Sequence, residues 1–272
     1  DERRILRGTK LPSSGTLYRA LLRWPRLYWV TDEYGHMIQM ARRQQSGALE
    51  SAIAVLHECY TGHTLYIDPD TDPGKKERDL NECHVHHPGV TLLALLSEDH
   101  LNSLAQRSEY GRGTLQQMLI IPAGPADARH KPSPAPYATQ ELINQIKALN
   151  QSGMTESATI PPNTVTAHWD DGVAEVFGQA RQRLNGLIEQ GEYQQWRGLV
   201  HGYMQSAGRL AGSLAAWSAP ESPIVSIEVA RWCCTWIERC LTLLLPMIDV
   251  SATDGSDTDI YQRVQQTIYE AG

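Results

Sequence analysis

Asp32 and Glu33 are adjacent carboxylates that directly follow an apolar run of β-forming residues, 27–31. Carboxylate oxygens are ligands that Mg²⁺ prefers, and a second acid beside them can orient or deprotonate an attacking water. A strand ending in these acids would suit metal-assisted phosphoryl transfer. The same residues also fit a strand that enters a turn beginning with two solvated acids, so the neighbouring chain has to distinguish the two interpretations.

Two more apolar runs are predicted as strands, residues 90–96, which end at Ser97, and residues 115–121. Helical segments predicted between the strands indicate an α/β fold with a mainly parallel sheet. In such sheets ligand chemistry gathers at the carboxyl ends of the strands. Asp32, Glu33 and Ser97 are all predicted to lie there.

Apolar side chains at helical spacing predict the helices of the first half. They lie at residues 16–24, 37–45, 48–60 and 99–106, the last with Asp99 as its cap. The polar segment 61–88 connects the predicted helix at residues 48–60 to the predicted strand at residues 90–96. It is predicted to be a long loop or a marginal hairpin.

The second half is predicted to be all-helical. Prolines crowd a linker at residues 124–138, which separates an α/β portion, 1–123, from a helical domain, 139–272. Predicted helices in this domain are residues 139–151, 169–190, 193–217, 226–248 and 258–270, with Ser226 as a plausible N-cap. Its predicted core comprises Leu199, Met204, Leu210, Leu214, Val229, Trp232, Trp236 and Leu243.

Charge limits the partners that the chain as a whole attracts. The 272 residues carry 24 Lys and Arg against 31 Asp and Glu, a net charge of −7, so nucleic-acid binding would need a local basic patch. The arginine-rich N-terminal segment with Arg19, Arg23 and Arg26 is one candidate. A solvated basic helix face is the equally weighted alternative.

Cysteine usage points to a reducing compartment. Five cysteines without regular spacing argue against a disulfide framework, and we expect a cytoplasmic protein. No signal peptide opens the sequence, and charged residues interrupt the most apolar stretch, 229–248, so we expect no membrane span. Cys233, Cys234 and Cys240 are predicted to be core thiols.

Zinc binding is the main metal alternative to Mg²⁺. Cys59, His63, Cys83 and His86 are the candidate ligands in and around one His-rich segment, but their spacing matches no regular zinc motif. We therefore favour a polar loop that is His-rich. No Gly-x-Ser-x-Gly elbow supports nucleophilic hydrolase chemistry.

The order of short motifs resembles that of phage, plasmid and prophage primase–helicase proteins, which are similar to superfamily-three helicases and other AAA+ ATPases. The resemblance covers about residues 13–250. Its motifs are the strand with Asp32-Glu33-Tyr34-Gly35, Tyr60-Thr61-Gly62 after Leu56, the run from Gly89 to Ser97, residues 113–121, and Gly208-Arg209-Leu210-Ala211 in the helical half.

This resemblance implies roles for five residues. Asp32 and Glu33 would be Walker B acids acting on Mg²⁺ and water, and Ser97 would be the sensor-I residue at the γ-phosphate of ATP. Arg209 would be a sensor-II arginine, with a structural arginine as the alternative. Arg112 would be an arginine finger offered to a neighbouring subunit of a ring.

The chain departs from the family at two places. Gln117 stands where the family usually has an arginine, so the finger is either Arg112 or lost. No Gly-x-x-x-x-Gly-Lys-[Ser/Thr] cradle for the phosphates occurs, and we expect it upstream of Asp1 unless the protein is a degenerate relative.

The sequence thus predicts the C-terminal part of an oligomeric ATPase that acts on DNA with replication proteins. The alternative is a non-catalytic scaffold that binds protein partners and no nucleotide.

Overall fold

The computed structural model describes residues 5–7, 13–32, 34–35, 47–62, 64–66, 84–105, 115–123, 138–153, 165–190 and 193–249. The chain divides into two compact units. One, the sheet unit, is Asp1–Leu101 with Gly153–Thr164, and the other, the helical unit, is Asn102–Ser152 with Val165–Gly272. The predicted combination of helices and parallel strands is confirmed at this level, with helix predominating.

The sheet unit is built on a three-stranded parallel sheet with β2 (Arg26–Thr31) between β1 (Ile5–Arg7) and β5 (Gly89–Ala94). Side chains of β2 alternate strictly, with Leu27, Trp29 and Thr31 buried and the residues between them exposed. This period of two is what a strand with one covered face requires. The edge strand β1 was not predicted from the sequence.

Helices α1 (Ser14–Arg23) and α2 (Gly47–Thr61) contribute to the core of the sheet unit. Ser13 caps α1 by accepting a hydrogen bond from the backbone N–H of Thr16 at 3.3 Å, and Pro25 follows the helix. A short antiparallel pair, β3 (Leu65–Tyr66) and β4 (His84–Val85), confirms the hairpin alternative for the polar segment. The shared core is Leu17, Leu21, Leu27, Ala52, Val55, Cys59, Leu65 and Val85.

Helix α3 (Glu98–Ala105) follows β5 and begins two residues earlier than a cap at Asp99 would allow. Ser97 is its cap instead, because the backbone N–H of Leu101 donates to the Ser97 carbonyl at 2.9 Å. Asp99 therefore lies in the first turn, where a carboxylate is favourable near the helix N-terminus. The predicted helix at residues 37–45 lies outside the described residues.

The helical unit contains α4 (Gln140–Gly153), α5 (Val173–Gln190), α6 (Arg197–Ser218) and α7 (Ile227–Asp249). A two-stranded parallel pair, β6 (His168–Trp169) and β7 (Ile224–Val225), leads into α5 and α7. Ser226 caps α7 as predicted, since its Oγ accepts from the Val229 N–H at 3.3 Å. Trp169, predicted as helical, belongs to β6 because Gly172, at φ 84°, intervenes before α5 begins.

The third predicted strand, residues 115–121, is wrong. Residues 115–117 form a helical turn that packs in the helical unit, so the unit begins earlier in the chain than the predicted linker. The hydroxyl of Tyr203 on α6 donates to the Ile120 carbonyl at 3.2 Å and accepts from the Ile120 N–H at 3.3 Å. Gly202 leaves room for the Gln116 carbonyl, which any added Cβ would overlap. Docking on α6 thus overrides local β-propensity.

The predicted core of the helical domain is confirmed at Leu199, which is fully buried, and wrong at Trp232, which is 55% exposed, while the other six predicted residues are half-buried. Small residues are also buried in this unit, among them Ala207 and Ala211 on α6 and Cys233 and Cys234 on α7. The three predicted core thiols are confirmed, and burial raises the pKa of Cys233 and Cys234 to about 11.

Among the described helices, none combines the length and apolar content needed to cross a bilayer.

Candidate functional site

Asp32 and Ser97 follow two neighbouring parallel strands at the same edge of the sheet. Thr31, the last residue of β2, pairs with Ala94, the last residue of β5. The ladder continues one step further, because the backbone N–H of Leu95 donates to the Thr31 carbonyl at 3.0 Å. The strand register therefore brings together the two chain segments that carry Asp32 and Ser97.

Glycine at position 35 lets the segment after β2 lie directly against the start of α3. A Cβ added at Gly35 would overlap Cβ and Cγ of His100 and the side chain of Leu96. Tyr34, which is buried, packs edge-on against Trp29 with ring centroids 6.3 Å apart. Packing of Tyr34 on Trp29 and of Gly35 on the start of α3 therefore fixes the position of these two residues after Asp32.

The Ser97 hydroxyl forms its contacts within the first turn of α3. Its Oγ lies 2.8 Å from Nδ1 of His100 and 3.4 Å from the His100 backbone nitrogen. This is the geometry of a helix cap supplemented by an imidazole. A ligand that reaches Ser97 would meet a hydroxyl whose orientation His100 already determines.

The edge is rich in exposed oxygen ligands. Asp32 is exposed, and Glu98 and Asp99 are exposed in the first turn of α3. Such hard oxygens favour Mg²⁺ over softer metals. Within the described part of the chain, no group of three or more His, Cys, Asp or Glu side chains converges closely enough to hold a metal. Glu33, the second predicted acid, lies outside the described residues.

The predicted arginines do not belong to the described part of the sheet unit. Arg209 is exposed on α6 in the helical unit, Gln117 lies in the turn that packs on α6, and Arg112 falls outside the described residues. Their roles remain predictions from the resemblance.

The three candidate basic residues of the sheet unit, here called its basic surface, are exposed. Arg19 and Arg23 lie one helical turn apart on α1, and Arg26 lies at the start of β2. The guanidinium of Arg23 lies 4.6 Å from the centroid of the Trp24 ring. A guanidinium held against an aromatic ring is partly pre-ordered for binding an anion.

The residues considered for zinc have different environments. Cys59 is buried in the core of the sheet unit, where desolvation raises the pKa of its thiol to about 12, so it is protonated and a poor ligand. His86 contacts Thr64 through its Nδ1 at 3.3 Å and stacks with His84. His63 and Cys83 lie outside the described residues.

Two informative residues were missed from the sequence, His100 beside Ser97 and the exposed Trp232. The spacing Ser97-x-x-His100 is a usable signal, since the third residue after a cap faces the cap side chain. Trp232 could have been found by counting helical positions, because it falls off the stripe of residues 230, 233, 234, 237 and 241 that α7 buries.

Comparison with protein-family models, with curated proteins and with solved structures found no match to this chain.

Proposed function

We propose that the chain is the C-terminal part of an ATPase resembling the primase–helicases, which couples ATP hydrolysis to movement along DNA. The observation that carries this proposal is the paired ending of β2 and β5, where Asp32 and Ser97 follow adjacent parallel strands in register. Acids that follow a buried central strand are what metal-assisted phosphoryl transfer requires. The exposed oxygens at this edge fit Mg²⁺.

In the proposed mechanism, Asp32 would hold Mg²⁺, which would supply neutralisation of the charge on the transferred phosphoryl group, and Glu33 would orient the attacking water. Ser97, positioned by His100, donates a hydrogen bond toward the terminal phosphate. Because the sequence contains no Gly-x-x-x-x-Gly-Lys-[Ser/Thr], we assign the phosphate cradle to other residues of the intact protein and expect this chain alone to be inactive. Arg209 and Arg112 would act on the nucleotide from the lid and from a neighbouring subunit of a ring.

The direct test measures ATP binding and hydrolysis by the longest native chain and by its Glu33→Gln variant. We expect the substitution to preserve binding and to lower turnover about a hundredfold or more, because it removes the group that orients water. Glu58→Gln is the matched control, an exposed acid on α2 of the same unit without an assigned role. Absence of ATP binding by the native protein, or equal turnover in the Glu33 and Glu58 variants, would reject the motor.

DNA binding is tested separately on the basic surface of the sheet unit. Replacing Arg19, Arg23 and Arg26 by Gln is expected to weaken binding and to reduce the slope of log affinity against log salt by about 0.7 to 0.9 for each phosphate that the surface no longer binds. Replacing Arg181, an exposed arginine on α5, is the control. Binding that is independent of salt would exclude this surface as a phosphate-binding site.

A scaffold that binds protein and no nucleotide is the second candidate, and a different observation favours it. Tyr28, Val30, Leu93 and Leu95 are exposed on the face of the sheet opposite Leu27, and the last two are each 64% exposed. Parallel sheets are normally covered on both faces, so an apolar face of this kind suits a protein partner. A native chain that binds no ATP but loses partner capture on Leu93→Asp would support the scaffold over the motor.

A further inference from the structure

The outer side of α7 carries a surface that the proposed ATPase chemistry does not use. Trp232 and Trp236 stack in parallel, with centroids 6.1 Å apart and planes 5° from parallel. Trp232 is 55% exposed, so one face of the pair is open to solvent. Such an open indole face, held in place by its neighbour, is a platform on which another flat ring can stack.

Basic residues flank this platform. Arg231 is adjacent to Trp232 in the chain, and Arg239 follows it by seven residues, about two helical turns along the same side of α7. Two carboxylates lie nearby on α7. Glu238 accepts a hydrogen bond from Nε of Arg183 at 3.1 Å, whereas Glu228 remains anionic, because hydrogen bonds to its own backbone and to Ser226, together with Arg231, lower its pKa. Arg239, about three helical turns from Glu228, is therefore the more favourable of the two arginines for an anion.

A polar cleft of about 320 Å³ continues from this surface between α5 and α7. Arg183, Gln179 and Glu175 line it from α5, and Arg231 and Thr235 line it from α7. It opens beside Gly172 and Ile227, where α5 and α7 both begin. Arg183 and Gln179 already donate to the Glu238 and Glu175 carboxylates, so a phosphate fits only at the outer edge of the cleft, beside Arg231.

We propose that Trp232, Arg231 and Arg239 bind single-stranded nucleic acid. A base stacks on the open face of Trp232, and the flanking phosphates contact the two arginines. Alternating rings and cations are the pattern by which proteins bind single strands, since every base has a face to stack and every linkage carries a charge. A duplex is disfavoured, because its bases are already stacked on each other. The inference rests on the proposed action on DNA and adds to it the surface that binds a single strand.

The experiment measures the binding of a fluorescently labelled oligodeoxythymidylate to the full chain by anisotropy, without nucleotide, over a range of salt. Trp232→Ala is expected to weaken binding about tenfold, since one stacked base contributes that much affinity. Its salt slope should be unchanged, because the indole ring binds a base and no phosphate. Arg231→Gln and Arg239→Gln should each reduce the slope by about 0.7.

Trp169→Ala is the matched control. Trp169 is also 55% exposed and also stacks on an aromatic ring, that of Phe177 at 5.1 Å, but it lies on β6 and not on the helix that carries Arg231 and Arg239. It should bind like the unmodified chain. Trp232→Phe retains a stacking ring and should restore most of the affinity, and thermal unfolding of each variant shows whether the fold is intact.

The inference is overturned if Trp232→Ala and Trp169→Ala bind equally, or if the chain binds no single strand at all. It is also overturned if Trp232→Ala dissociates an oligomer in sedimentation while leaving DNA affinity unchanged, which would make this surface a protein interface. If Trp232 is indifferent while the Arg19, Arg23 and Arg26 variant loses DNA binding, the inference fails and the proposed DNA function survives. ATP turnover is measured independently in either case.

Discussion

Strand β2 and helix α7 each have a buried side and an exposed side, and on neither does residue size decide the side, since Tyr28 on β2 is 53% exposed and Trp232 on α7 is 55% exposed. In β2 the alternation places the large Trp29 inside, and the exposed residues are simply those between the buried ones. In α7 the helix buries Ala230, Cys233 and Cys234 and leaves Trp232 outside. The comparison teaches that periodicity determines burial, and that a large aromatic ring is not evidence of a core position.

The largest expected effect is on the strand. Trp29→Ala should destabilise the sheet unit by about 4 kcal/mol, because it removes a fully buried ring and leaves a cavity. Tyr28→Ala, at an exposed neighbouring position of the same strand, is expected to cost about 1 kcal/mol or less. Denaturant unfolding followed by circular dichroism compares them, and equal losses would contradict the alternation.

On α7 the buried residue is the smaller of the two compared, so the larger loss of stability is expected at the smaller side chain. Ile237→Ala should cost about 3 kcal/mol, because Ile237 is fully buried, whereas Trp232→Ala should cost about 1 kcal/mol or less. Denaturant titrations of the two variants give the difference. If the tryptophan variant proves the less stable of the two, the assignment of the outer face of α7 is wrong.

Close packing in the helical unit can be tested at a glycine. Gly202→Ala should destabilise by about 2 kcal/mol, because its Cβ would overlap the Gln116 backbone carbonyl. Gly212→Ala on the same helix, where an added Cβ meets open space, should stabilise by about 0.5 kcal/mol through helix propensity. Thermal melts of both variants provide the measurement, and matching shifts would mean that residues 115–117 do not dock there.

A smaller effect on stability depends on pH and arises from one histidine of the sheet unit. Burial lowers the pKa of His57 on α2 below its usual 6.5, and its Nε2 has no hydrogen-bond partner. The unfolded chain therefore takes up a proton before the folded chain does, and stability falls as the pH drops below about 6.5. His57→Gln should lose less stability than the parent between about pH 7.5 and pH 5.5. An identical pH dependence in both proteins would show that His57 is accessible to water when folded.

The smallest effect concerns the ion pair beside the tryptophans. Arg183→Gln should cost about 0.5 kcal/mol or less, because Arg183 is largely exposed and solvent screens its attraction to Glu238. Added salt should reduce that cost further. A loss several times larger would indicate that the exposed side of α7 contributes to stability as the buried side does.

The parts predictable from sequence were those set by local pattern. The strand assignments of β2 and β5 and the four described helices of the second half follow from local pattern, and so does the placement of Asp32 and Ser97 after strand ends, whereas the predicted helix at residues 258–270 lies outside the described residues. Residues 115–121 could not be assigned, because their conformation depends on the hydroxyl of Tyr203 and on Gly202, which are distant in sequence. The positions of His100 and Trp232 depend on which side of its helix each residue faces, and residue size and helix propensity alone do not predict that side.

The pairing of Thr31 with Ala94 also constrains how this protein can change its length. Deleting one residue inside β2 would exchange its buried and exposed sides and would shift Asp32 relative to Ser97 in the same event. A compensating deletion in β5 would restore the relative position of the two ends but would leave the covered face of β2 wrong. A library of single-residue insertions and deletions should therefore be depleted throughout β2, with tolerated length changes confined to the chain between elements.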